Sequence, residues 1–226
     1  MSQSCQEGSA ERAEGSINLA DLPHSTKLLS DYLTNFERVG QFYSPVGTEA
    51  KSLKESAAAI AAQDYDRDAL VDALIDQNKR YGSGDLTFRY LEELRSADSI
   101  AIVSGQQAGL FTGPLYTIMK ALSVAKLTVC LREQGIRAVP VFWVASEDHD
   151  FAEVNHCRIV DQDGKLIKIS LDNCPAPQAQ PVGHIHLCAE ITGHVEQFLQ
   201  ALPDTEFKNQ ISEIIRKSYA RGIRLS

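Results

Sequence analysis

The residues predict an α/β fold, an incomplete Rossmann-like parallel sheet core with N-terminal helices and an inserted antiparallel hairpin and helical segment. Two observations carry this. Short apolar runs at Ser99–Val103 and Ala138–Ala145, rich in β-branched residues, bracket a long helical stretch at Pro114–Gln134, the pattern of a right-handed parallel crossover. Downstream, His156–Val160 and Lys165–Leu171 flank an Asp161-Gln162-Asp163-Gly164 turn and read as a hairpin.

The elements follow in chain order. Residues 1–17 are rich in Ser, Glu and Gly and too poor in large apolar side chains to fold alone, so they read as a disordered N-terminus. Residues 18–98 form a helical entry region. Its first helix, capped by Ser25, runs through Leu28, Leu29, Tyr32, Leu33, Phe36 and Val39 at helical spacing, and further helices cover Thr48–Ala62, Arg67–Tyr81 and Thr87–Arg95. Residues 99–155 are the Rossmann-like βαβ core. The first strand stops at Ser104-Gly105, Pro114 opens the crossover helix and Gly135 ends it. Residues 156–226 hold the hairpin, a third antiparallel strand at His184–Cys188 after the loop marked by Pro175, Pro177 and Pro181, and helices near Glu190–Ala201 and Thr205–Tyr219. The chain stops before the sheet gains the four or more parallel strands of a doubly wound fold, so it reads as truncated, with a sheet edge prone to association.

Composition excludes several classes. With 22 Lys and Arg against 30 Asp and Glu, a net charge of −8, the chain lacks the basic surplus that broad nucleic-acid binding needs. No apolar run reaches the roughly 18 residues of a membrane span, and Met1–Ser16 has no basic and apolar signal-peptide pattern, so the cytoplasm is the expected location. The five cysteines, an odd count with no C-x-x-C pair, read as reduced thiols, and Cys174 and Cys188 lack zinc-ligand spacing.

Two constellations carry chemistry. The segment Ser104–Pro114 places Gly105, Gly109 and Gly113 four residues apart between a strand and a helix. Such a loop lets backbone N–H groups approach an anion at a helix start, although the spacing is neither the dinucleotide nor the P-loop pattern. Gln106 and Gln107 add donors and acceptors, Thr112 and Tyr116 flank the loop, and Lys120 reads as a solvated helix face able to reach back toward a carboxylate or phosphate. The second constellation, Glu147-Asp148-His149-Asp150, ends the second strand, where α/β sheets place their ligand crevice. Crowded carboxylates there should raise at least one pKa and hold His149 protonated longer, which suits acid/base work. Trp143 feeds this cluster and reads as core packing, while Asn155 and His156 end the following loop and could close the site. His184, His186 and His194 read as structural or exposed.

The blocks S-G-Q-Q-A-G-L-F-T-G-P-L-Y (Ser104–Tyr116) and V-P-V-F-W-V-A-S-E-D-H-D-F-A-E-V-N-H (Val139–His156) resemble the two signature blocks of the BshC family of bacillithiol biosynthesis, with looser similarity at Asp31-Tyr32, Phe36 and Tyr219-Ala220-Arg221-Gly222. The resemblance is to the N-terminal part of a family whose members continue into further Rossmann strands and a coiled-coil arm. It implies a ligase that joins L-cysteine to the sugar amine of glucosaminyl-malate, with a homodimer formed through the C-terminal part. The family core is similar to class I aminoacyl-tRNA synthetases, yet the His-x-Gly-His signature is absent from the glycine loop, so the cofactor stays unassigned and ATP use is not established. On this reading the glycine loop with Gln106 and Gln107 binds malyl carboxylates or a phosphate. Asp148 or His149 is the general base for the amine, and Glu147 or Asp150 orients His149 or binds an ammonium group. Two competing readings are a metal-assisted hydrolase or transferase using Glu147, Asp148, His149 and His156, and a ligand-binding piece that does not turn over alone.

Overall fold

The computed structural model describes residues 18, 22–43, 50–172, 174 and 180–225. The stretch expected to be disordered (1–17), the first residues of the helix expected from Thr48, and Pro175 and Pro177 lie outside them. Two compact units divide the chain, one of Met1–Ala101 and Thr128–Val139 and the other of Ile102–Leu127 and Pro140–Ser226.

The first unit is mainly helical. Helix α1, Lys27–Thr34, is capped by Thr26, whose Oγ1 accepts from Leu29 N–H at 3.2 Å. The expected cap at Ser25 and the helical run to Val39 are both corrected. At Asn35 the backbone leaves the helix, and two 3₁₀ turns, Phe36–Arg38 and Gly40–Phe42, follow. Across this turn the Phe36 ring meets Tyr32 edge-on, with centroids 5.5 Å apart, and lies 6.0 Å from Tyr43. Helices α2 (Ala50–Ala61), α3 (Arg67–Arg80) and α4 (Asp85–Glu93) match the remaining expectations to within the ends. Val71, Leu91, Leu94 and Val139 form this unit's core. Arg67 fastens it to the first strand by donating to Leu94 O and Ser99 Oγ, each at 3.0 Å.

Strand β1, Ser99–Gln107, and strand β2, Arg137–Ala145, pair in parallel across helix α5, Leu115–Glu133. All three contribute residues to both units. The expected stop of β1 at Ser104-Gly105 is corrected, because the strand continues to Gln107. Glycine permits this: a Cβ on Gly105 would sit 2.7 Å from the Trp143 carbonyl oxygen. Trp143 itself is 58% exposed and not core; burial along β2 is concentrated at Ala138 and Val139 and fades toward its C-terminal end.

In the second unit, a short helix α6 (Phe151–Val154) leads into the antiparallel hairpin of β3 (His156–Val160) and β4 (Leu166–Ser170), in register His156 to Ser170. Asp161 closes the hairpin turn by accepting from Asp163 and Lys165 N–H. Helix α7, Ile191–Ala201, lays Ile191, Val195 and Leu199 against the hairpin's buried Ile169 and Leu171, and α8, Lys208–Ser218, follows. The third hairpin strand is corrected. Ile185 and Leu187 alternate inward as expected, but their backbone pairs with Ile223 and Leu225 near the end of the chain, around a His186–Arg224 bridge. Hydrophobic alternation fixes which face is buried and leaves the partner strand open.

The reading of all cysteines as reduced is corrected too. Cys174 and Cys188 form a disulfide with Cα atoms 5.5 Å apart, and Cys130 is also disulfide-bonded. Linear spacing argued only against a local motif, whereas folding brings residues 14 apart together. Among the described residues Cys157 is the free cysteine, and it is buried. No helix of the described residues is long and apolar enough to cross a membrane.

Candidate functional site

The site lies in the second unit, where β1 runs out. Gly109 folds over Gly113 so closely that a Cβ on Gly109 would meet Gly113 Cα at 2.8 Å. Between them Phe111 (φ 49°) and Thr112 (φ 72°) adopt the left-handed conformation, which costs an L-residue roughly 1–2 kcal/mol. Packing holds them there. The Phe111 ring, 3% exposed, stacks on Phe198 at 4.4 Å and leans on Tyr219 at 4.8 Å, and Tyr219 Oη accepts from Thr112 N–H at 3.0 Å. Burial pushes the Tyr219 hydroxyl's pKa up, so it stays a neutral phenol able to take this bond.

Both glutamines engage side chains. Gln106 donates to Tyr116 Oη at 3.1 Å and accepts from Lys120 Nζ at 3.0 Å, while the Lys120 ammonium sits 5.7 Å from the centroid of the Tyr116 ring. Lys120 is therefore neither a free solvated face nor aimed at a carboxylate; it is half-buried and braces β1. Gln107 Nε2 donates to Asp148 Oδ2 and, at 3.1 Å, to Glu153 Oε2, so one amide clasps two carboxylates.

Asp148 also accepts from Asp150 N–H at 3.1 Å, and Asp150 caps α6 by accepting from Glu153 N–H at 3.2 Å. Backbone bonds from Val182 N–H to Asp148 O (2.7 Å) and from Gly183 N–H to Ser146 O (2.9 Å) pin the acidic loop. The expected raised carboxylate is corrected at Asp148: the Gln107 amide, then the Asp150 backbone N–H, hold its carboxyl below the usual carboxylate range. Hydrogen-bond donation outweighs the mutual repulsion that the sequence suggested. Glu147, His149 and Asp150 are exposed.

A cavity of about 470 Å³ opens beside this clasp. Gln106, Gln107, Gly109, Gly113 and Tyr116 form one wall; Glu153, His156, Cys157 and Arg158 form another. The two constellations thus meet, with a shift. The glycine loop lines the cavity as expected, but the residues facing it come from α6 and β3, and of the Glu147–Asp150 cluster Asp148 is tied to the lining through Gln107. Gly105, Thr112, Lys120, Trp143 and Asn155 lie outside the lining and act behind it or not at all. Burial pushes the Cys157 thiol up to about 11, which keeps it protonated and poorly nucleophilic near neutrality. Among the described residues no group of three or more His, Cys, Asp or Glu side chains could hold a metal ion. The set Glu147, Asp148, His149 and His156 is not assembled, because Asp148 turns to Gln107 while His156 contacts Asn155 and Arg158.

Comparison with known proteins fits this geometry. The family model of the bacillithiol biosynthesis protein BshC, N-terminal Rossmann-like domain, matches residues 16–226. The chain belongs to the BshC family. Proteins named "Putative cysteine ligase BshC" from Salinibacter ruber and Chlorobaculum tepidum are 38% identical over 95% of this chain and 39% identical over 88% of it. A third so named, from Solibacter usitatus, is 34% identical over 91%. The chain spans 39%, 34% and 37% of the length of these BshC relatives. Within the BshC domain, reading the sequence missed Glu153, Cys157 and Arg158 as cavity residues. Period-two alternation from His156 was the available signal, since it places Arg158 on the same face of β3.

Proposed function

We propose that the whole protein is a cysteine ligase that joins L-cysteine to the amine of glucosaminyl-malate in bacillithiol biosynthesis, and that this chain supplies its acceptor pocket. The observation carrying the proposal is the Gln107 clasp, which sets two carboxylates beside a cavity in a chain of the BshC family. An acceptor amine attacks only after losing a proton. Asp148, held ionised by its hydrogen bonds, draws the ammonium into place. Asp148 or the neighbouring His149 takes the proton that the amine gives up as it attacks the cysteine carboxyl carbon, whose C–O bond breaks as the C–N bond forms, the oxygen leaving as water or with whatever group activates it. Gln106, Gln107 and the glycine loop shape the pocket, with Glu147 and Asp150 beside the base. No residue of this chain is assigned to activating the cysteine carboxylate, and no cofactor is assigned. The working location is the cytoplasm, the partners are small molecules, and a homodimer forms through the remainder of the protein. Alone, the 226-residue chain binds acceptor without turnover.

The test replaces Asp148 and His149 separately by Asn in the full-length protein and measures bacillithiol formation. Loss of about a hundredfold or more in one variant is expected, within the usual range for a general base; undiminished formation in both removes the pair from the mechanism.

A further inference from the structure

Resting on that reading and deepening it, we infer that Arg158 anchors a carboxylate in the cavity, and that Glu153 takes the amine of the same ligand. Strand β3 brings His156, Cys157 and Arg158 to the cavity, Cys157 as a buried member that also packs in the core and Arg158 as the exposed cation. Arg158 Nη1 lies 3.1 Å from His156 Nε2, and His156 Nδ1 lies 3.1 Å from Asn155 Oδ1. A guanidinium only donates, so Nε2 accepts, and Nδ1–H donates to Asn155. This relay aims the guanidinium and uses one of its donors. Among the described residues no carboxylate pairs with Arg158.

Glu153, in the same lining, accepts from the neutral Gln107 amide and pairs with no cation among the described residues. One cavity therefore carries a guanidinium and a carboxylate that neutralise neither each other nor anything else described. Gln107 spends both amide N–H groups on Asp148 and Glu153, and Gln106 spends one on Tyr116; Arg158 is the cation in the lining, and its planar fork matches a carboxylate. A ligand that satisfies both charges is an acid bearing an amine. The cavity of about 470 Å³ falls in the roughly 300–1,000 Å³ range of small-molecule sites. Cysteine also carries both groups; the cavity is assigned to the acceptor because the ammonium seat at Glu153 adjoins Asp148, the base of the proposed reaction. An ammonium on Glu153 would also lie next to Asp148, since one amide holds both carboxylates.

The experiment measures binding to the full-length protein by calorimetry, with glucosaminyl-malate, its malate diester and its N-acetyl derivative as probes. Wild type is expected to prefer the free acid over the diester by about tenfold or more. Arg158→Gln should erase that preference, and Arg158→Lys should restore part of it. Glu153→Gln should erase the preference for the free amine over the N-acetyl form. Arg158→Gln that still discriminates acid from diester overturns the anchor, as does a wild type that binds both equally or neither; Glu153→Gln that still discriminates the amine overturns its role. Both side chains are exposed, and an unchanged circular dichroism melt confirms folding of each variant. The binding arms stand apart from turnover. Absence of ligation by wild type sinks the ligase reading without touching them, whereas ligation with unaltered acid discrimination in Arg158→Gln sinks only the anchor.

Discussion

Replacing Phe111 by Ala and by Gly separates two effects that the glycine loop combines. Phe111 is 3% exposed, stacks on Phe198 and Tyr219, and holds φ at 49°. Truncating a buried Phe to Ala costs about 3–5 kcal/mol, so both variants lose most of that packing. In ordinary backbone the Gly variant would be the weaker of the two, because glycine has more freedom to lose. At positive φ the order inverts, since Ala keeps the left-handed strain that Gly relieves; the difference is about 1 kcal/mol in favour of Gly. Urea unfolding followed by far-ultraviolet circular dichroism measures both. For a chain of this length each kcal/mol moves the thermal midpoint by about 2–4 °C, so the Gly variant should also melt a few degrees above the Ala variant. Phe111→Ala at least as stable as Phe111→Gly would refute the left-handed assignment, and a loss below about 1 kcal/mol in both would refute the packing.

Three further outcomes follow from single contacts. Gly105→Ala pushes a methyl against the Trp143 carbonyl oxygen, 2.7 Å from its ideal position, and should cost about 1–3 kcal/mol in the same unfolding assay; a neutral result would place β1 and β2 farther apart. Gln107→Leu removes the donor that most lowers the Asp148 pKa. The stabilisation linked to that depressed pKa is present above the ordinary carboxylate value and is lost as pH falls through the folded one. The variant's acid limb of activity should therefore shift to higher pH, and an unmoved limb would detach Gln107 from Asp148. Cys174→Ser with Cys188→Ser opens a loop of sequence separation 14, which should cost about 3 kcal/mol under oxidising conditions. Under reducing conditions the double variant and the parent should unfold alike, and a persistent difference would assign the effect to packing.

What the sequence made legible is what local pattern determines. Apolar runs around Pro114–Gln134 located the parallel crossover, and the Asp161–Gly164 turn located the hairpin. The family resemblance of the two blocks flanking α5 and ending at His156 held as well. Errors arose where the deciding contact is distant in the chain. Nothing local tells Ile185 and Leu187 to pair with Ile223 and Leu225 in place of β4, or brings Cys174 to Cys188. For Trp143, a hydrophobic strand residue promised burial, but it lies toward the end of β2, where the strand's burial has faded, and stays 58% exposed.

The same distinction explains the candidate site. Charge crowding in Glu147–Asp150 is visible in sequence, and it suggested a raised carboxylate. The structure answers it with donors from elsewhere: an amide from the end of β1 and backbone N–H groups of the acidic loop itself. Asp150 then spends its side chain capping α6, and that helix start carries Glu153 to the cavity wall. The strained Phe111–Thr112 turn is held from the opposite direction, by Phe198 and Tyr219. Both walls are therefore anchored by residues far along the chain, Val182 and Gly183 for the acids and α7 with Tyr219 for the glycine loop. A pocket built this way keeps its charges in fixed places before a ligand arrives, and preorganised charge is what makes a small number of polar side chains selective.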